Sequence, residues 1–122
     1  MPGYFGASTG AGAALVAAAQ RPHIVRAVVS RGGRPDLAAG ALSHVRAPTL
    51  LIVGGDDVPV IGMNQRAAAQ ITAETQLIIV LGAPHLFQEP GSLDTVAQCA
   101  QAWFLRHLGG PRQACRTARH PC

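Results

Sequence analysis

Apolar residues in this chain fall in short runs separated by glycine, proline and polar breaks, and the runs alternate between strand-like and helix-like spacing. Gly3 to Gly6 reads as the end of a strand. Thr9 to Gln20 follows as a helix whose Gly10, Gly12 and alanines allow close approach to a sheet, and Pro22 stops it. Ile24 to Val29 is a β-branched strand. The Arg31-Gly32-Gly33-Arg34-Pro35 break comes next, after which Asp36 is expected to cap a short helix to about Ser43. Thr49 to Val53 is continuously apolar, the pattern of a strand buried on both faces. Asn64 to Thr72 predicts a helix and Leu77 to Leu81 another apolar strand. Beyond Pro90, Gly91 and Ser92, residues Leu93, Val96, Ala97, Ala100, Trp103, Phe104 and Leu108 recur at helical spacing as one apolar stripe, with Trp103 and Phe104 in the core.

This order, β-α-β-α-β-α-β-α, predicts an α/β fold: a parallel β-sheet with right-handed crossovers and helices on both faces. Reactive groups in such sheets gather beyond the carboxyl ends of the strands. Three chemically capable residues lie there. Ser8 follows the first strand, the Asp56-Asp57 pair follows the third, and His85 follows the fourth. The other histidines, His23, His44, His107 and His120, all lie elsewhere in the pattern.

Ser8 stands inside Gly6-Ala7-Ser8-Thr9-Gly10, a G-x-S-x-G pentapeptide. Such a turn between strand and helix holds a serine Oγ above the sheet. Glycines are expected at both flanks, since residues two before and two after the serine nearly touch and a Cβ at Gly6 or Gly10 would clash. Thr9 opens the helix, and its N–H at the positive helix end is placed to stabilise an oxyanion. The order nucleophile, acid, histidine leaves whole helix-strand units between the three, so Ser8, Asp57 and His85 can meet in space. His85 would then take the proton from Ser8 as it attacks an acyl carbon, and an aspartate would orient the imidazole.

Composition removes other classes. The chain has 122 residues, 48% hydrophobic and 13% charged, which fits one small globular domain at 1–108. The net charge of +4 falls largely on Arg112, Arg116 and Arg119 in an acid-free tail, 109–122, expected to be disordered. The body is close to neutral and carries no basic stripe, which speaks against nucleic-acid binding. The apolar run Ala11 to Ala19 is too short to cross a bilayer, and no signal-like basic region precedes it. Cys99, Cys115 and Cys122 have no metal-like spacing and leave one unpaired in any disulfide scheme, so a reduced, cytoplasmic setting is expected. No metal or organic cofactor is implied.

Gly3 to Leu15, Ala47 to Asp57 and Gly82 to Pro90 together resemble the C-terminal half of an α/β-hydrolase. The likeness is to bacterial dienelactone-hydrolase-like proteins, some of which resemble domains fused behind a phosphoribosyltransferase, and it covers about residues 3–108. It implies Ser8 as nucleophile and His85 as general base. The family's G-x-x-D after the strand, counted from Gly54, selects Asp57, with Asp56 as the alternative. Dienelactone hydrolase itself would imply a cysteine where this chain has Ser8, so lactone specificity does not carry over. The resemblance also implies strands ahead of the nucleophile strand, whose loops provide a second oxyanion donor. The expectation is therefore a serine hydrolase for small ester or acyl substrates, in a truncated form weakly active or inactive alone, with an open sheet edge suited to self-association or to pairing with a missing N-terminal half.

Two other classes compete. A non-catalytic interaction module could retain the hydrolase half-fold. Gly6, Gly10 and Gly12 also fit the glycine pattern of short-chain dehydrogenases, which bind a dinucleotide there. That family would call for a Tyr-x-x-x-Lys pair, and this sequence has one tyrosine, Tyr4, and no lysine.

Overall fold

The structure is a computed structural model and describes residues 3–80 and 91–108. Among them, strands β1 (Gly3–Ala7), β2 (Ala27–Arg31), β3 (Thr49–Gly54) and β4 (Thr75–Val80) form one sheet in the order β1-β2-β3-β4, with every neighbouring pair parallel. Parallel neighbours require a crossover over one face of the sheet. The crossovers are α1 (Thr9–Gln20), a 3₁₀ segment (Pro35–His44) and α2 (Val58–Gln70), and α3 (Ser92–Leu108) follows β4.

Side-chain alternation along β2 divides the core in two. Val28 packs with Leu15 and Ala18 of α1, Leu42 of the 3₁₀ segment and Ala67 of α2. Ala27 and Val29, with Leu50 and Ile52 of β3, pack instead against Val96, Cys99, Ala100 and Trp103 of α3. Helices therefore cover both faces, as the alternation of elements predicts. β3 is buried along its whole length, which explains why its sequence carries no polar alternation.

Several boundaries differ from the sequence expectation. β2 runs Ala27–Arg31 rather than from Ile24, because the N–H groups of Ile24 and Val25 both donate to the Arg21 carbonyl and continue the turn after α1. The strand extends instead through Ser30 and Arg31, which pair with Gly6 and Ala7 of β1. Register with two neighbouring strands outweighs the β-branched run. α2 starts at Val58 rather than Asn64: Pro59 sits in the first turn, where no N–H is required, and Val60, Asn64 and Ala67 form the buried face. Asp36 does not cap the short helix. Arg34 occupies that position, and its guanidinium makes two bonds of 3.0 Å to the Asp36 carboxylate, holding that carboxyl below its ordinary range. β4 covers Thr75–Val80. Cys99 is buried in the α3 side of the core, and Cys115 and Cys122 lie outside the described residues. The tail at 109–122 lies outside the described residues. No helix among the described residues is long and apolar enough to cross a membrane.

The amino end of the sheet is closed by α3. Trp103 donates its Nε1–H to the Pro48 carbonyl at 3.2 Å, and the His107 ring lies 4.3 Å from the Trp103 ring. Arg106 pairs with Glu74 at 3.2 Å and stands over the Trp103 ring. His107 Nε2 is 3.8 Å from Glu74, too long for a hydrogen bond. Burial therefore dominates and lowers the His107 pKa from its ordinary 6.5, with Glu74 opposing and Arg106 assisting.

Two outcomes follow from this packing. Leu51 is fully buried in β3, so Leu51→Ala should cost about 2 to 5 kcal/mol, read as a lowered urea midpoint. Because the folded state binds the His107 proton less readily than the unfolded chain, stability from this residue is complete above about pH 6.5 and falls as pH drops below it. Urea midpoints on either side of that pH should differ more in the wild type than in His107→Gln, which cannot titrate.

Candidate active site

Ser8 lies between β1 and α1, half-buried, at the carboxyl edge of the sheet. Its backbone has φ 51° and ψ −123°, and it is the one non-glycine residue with positive φ among those described. A side chain in this region costs on the order of 1 to 3 kcal/mol and persists only where the surroundings impose it. Here they do. The Ser8 N–H donates to Arg31 O at 3.1 Å, and the Ser8 carbonyl accepts from Ala11 N–H at 3.1 Å and from Arg34 N–H at 3.0 Å. Ser8 occupies the N-cap position of α1, yet its hydroxyl makes no capping bond.

The flanking glycines are not equivalent. A Cβ on Gly6 would lie 2.6 Å from the Gly10 carbonyl oxygen and 2.7 Å from Ala11 Cα. A Cβ on Gly10 would meet nothing within 4 Å. The expectation that both positions exclude a side chain is thus corrected: the close approach is between β1 and the first turn of α1, and Gly6 alone has its Cβ position inside it. Thr9 is exposed at the helix start, and its N–H has no backbone acceptor among the described residues.

Asp57 follows β3 at the N-cap position of α2, half-buried, and its carboxylate makes no capping bond. Its backbone carbonyl does accept the N–H groups of Val60 and Ile61, both at 3.1 Å, so the backbone starts the helix while the side chain is directed elsewhere. Asp56 is exposed in the preceding turn. β1 and β3 are separated by β2, which places their carboxyl ends two strand spacings, about 10 Å, apart. His85 lies outside the described residues. Arg34, one of two arginines near this edge, is engaged by Asp36. Among the described residues no group of three His, Cys, Asp or Glu side chains could hold a metal ion.

One contributor has no motif to reveal it. Asn64 of α2 is fully buried, and its Nδ2 donates to Val60 O at 2.8 Å and to Gly33 O at 3.3 Å, in the loop that holds the Ser8 carbonyl. Its only trace in the sequence is a polar residue at the spacing of Val60 and Ala67 on the helix.

Comparison with known proteins places this geometry in a family context. No family model matches the chain. Proteins from two strains of Mycobacterium tuberculosis, each named "Putative phosphoribosyl transferase", are 65% identical over 109 residues, which is 89% of this chain and 25% of theirs. The chain thus spans about a quarter of the curated relatives it matches. A dienelactone hydrolase from Anabaena variabilis superposes with a TM-score of 0.85 at 65% identity, over 86% of this chain and 49% of that one. A predicted CIB-like hydrolase from Thermoplasma acidophilum gives 0.68 at 28% identity, over 84% and 49% of the two chains. A monoacylglycerol lipase from Paleococcus ferrophilus, at 15% identity, shares the fold with a TM-score of 0.70 over 82% and 66%.

The asymmetry of the glycines sets a test. Gly6→Ala should unfold the turn or displace Ser8, and Gly10→Ala should leave the circular dichroism spectrum and thermal midpoint close to wild type. Equal effects of the two substitutions would contradict the packing described. Taken together, the parallel sheet, the strained serine turn at its carboxyl edge and these superpositions show that the chain folds as the C-terminal half of an α/β-hydrolase and resembles the dienelactone-hydrolase-like members of that superfamily.

Proposed function

We propose that this chain carries the catalytic residues of a serine hydrolase acting on ester or acyl bonds, with Ser8 as nucleophile, His85 as general base and Asp57 as the acid that orients it. The observation that carries this reading is Ser8 itself: a side chain forced into a positive-φ turn at a helix start with its hydroxyl not used for capping. Strain of that kind collects at functional positions.

In the proposed reaction the Ser8 Oγ attacks the acyl carbon while His85 takes its proton. The Thr9 N–H stabilises the developing oxyanion, and the proton passes from His85 to the departing alcohol. Water, deprotonated by the same histidine, then releases the acid from Ser8. Asp57 steadies the imidazolium in both halves. The carboxylate that follows β3 supports this role better than that of Asp56, because it is half-buried and makes no capping bond at a position where an aspartate usually caps.

The solved relative named a dienelactone hydrolase makes lactones worth including beside aryl esters in a substrate panel. The phosphoribosyl transferase named for the longer relatives is not needed to account for a segment that folds as part of a hydrolase. A non-catalytic interaction module is the competing reading, and the outer edge of β1, where Phe5 is 50% exposed, favours it.

A fluorophosphonate probe should label the folded chain, and Ser8→Ala should abolish the label. Asp57→Asn should slow turnover by about 10³- to 10⁴-fold and Asp56→Asn by less than about tenfold, as expected when one aspartate orients the base. A folded sample that takes no label would favour the interaction module.

A further inference from the structure

We propose that Asn64 is a positioning residue for the oxyanion donor, acting through two successive peptide groups; this rests on the assignment of Ser8 and Thr9 above. The side-chain amide of Asn64 donates to the Gly33 carbonyl at 3.3 Å. The same peptide group presents the Arg34 N–H, which donates to the Ser8 carbonyl at 3.0 Å. The next peptide group joins Ser8 to Thr9, and its N–H is the proposed oxyanion donor. Both peptides are trans, so carbonyl and N–H within each point in opposite directions. Fixing one end of each group fixes the other. A line of dipoles therefore runs from α2, through the loop after β2, to the start of α1.

Three observations make Asn64 more than packing. It is fully buried on the apolar face of α2, where leucine would fill similar volume. Its Oδ1 has no hydrogen-bond partner among the described residues, a cost that leucine would not carry. Both acceptors of its Nδ2 are carbonyl oxygens, so only the amine end of the side chain fits there. The loop is also wedged in place: a Cβ on Gly33 would collide with Ser30 Oγ and lie 2.5 Å from Ala11 Cβ. Steric closure brings the Gly33–Arg34 peptide near Ser8, and the Asn64 bond selects which way that peptide faces. With its carbonyl turned toward Ser8 instead, it would repel the Ser8 carbonyl and release the Ser8–Thr9 peptide from its orientation.

The test uses the whole chain with Asn64→Leu and Asn64→Asp. Fluorophosphonate labelling of Ser8, normalised to the folded fraction by circular dichroism, should slow by about ten- to a hundredfold in both variants, the usual effect of a lost supporting hydrogen bond. For p-nitrophenyl acetate the loss should fall on kcat with KM unchanged. Asn64→Leu should melt no lower than the wild type, which a purely structural role would not produce. Asn64→Asp should recover relative to the wild type as pH falls, because a neutral carboxyl regains an O–H donor for Gly33 O and a carboxylate has only acceptors. Wild-type labelling rates in the folded variants would overturn the proposal. Absence of label in the wild type would overturn the nucleophile assignment instead. In that event hydrogen exchange at the Arg34 amide still decides the relay: slow exchange in the wild type and at least about tenfold faster exchange in the variants supports it. An unprotected Arg34 amide in the wild type, or unchanged protection in the variants, overturns it.

Discussion

The Ser8 carbonyl is the point on which the site depends. Two backbone N–H groups, from Ala11 within α1 and from Arg34 in the loop after β2, converge on this one oxygen. The first bond starts the helix, and the second ties the helix start to the neighbouring strand. Between them they hold the chain through a conformation that serine would not otherwise adopt. The close approach of Gly6 to Gly10 and Ala11 is the steric side of the same arrangement. A tight turn and two shared acceptor bonds each require the other.

That constraint extends outward through the sheet. β1 pairs with β2 from Gly3↔Ala27 to Ala7↔Arg31, so the Arg31 carbonyl reaches the Ser8 N–H, and the strand must continue through buried Ser30 to do it. β3 then anchors the loop, since Gly32 donates to Ile52 O at 2.7 Å. Asn64 reaches the same loop from α2. The helices beneath the site thus serve two purposes at once, burying Leu15, Leu42 and Ala67 against Val28 and supporting the peptide groups around the serine. At the opposite end of the sheet, Trp103 and His107 of α3 close the amino ends of the strands without touching this edge. A parallel sheet separates the two tasks naturally, with chemistry at one end and closure at the other.

The sequence by itself determined the class of fold and the place of the serine turn. Thr9–Gln20 and the helix through Leu108 were legible because their apolar stripes are long. Thr49–Val53 was legible because a strand buried on both faces shows an unbroken apolar run, here Leu50 to Val53. The G-x-S-x-G turn was legible because its geometry needs glycine at Gly6, a local demand written in one residue. Tertiary structure decided the rest. It shifted β2 to include Ser30 and Arg31, since hydrogen-bonded register with two neighbours outweighs a β-branched run at Ile24 and Val25. It extended α2 back to Val58, because a helix that tolerates Pro59 in its first turn gains more from docking Val60 and Asn64 than it loses to Gly62. It freed Gly10 from the steric role that symmetry suggested, because a Cβ there faces open space. It also revealed Asn64, whose partner lies 31 residues away along the chain. Periodicity and motifs record what a residue does to its near neighbours. Which carbonyl a buried amide meets across the fold is fixed only when the helices settle on the sheet.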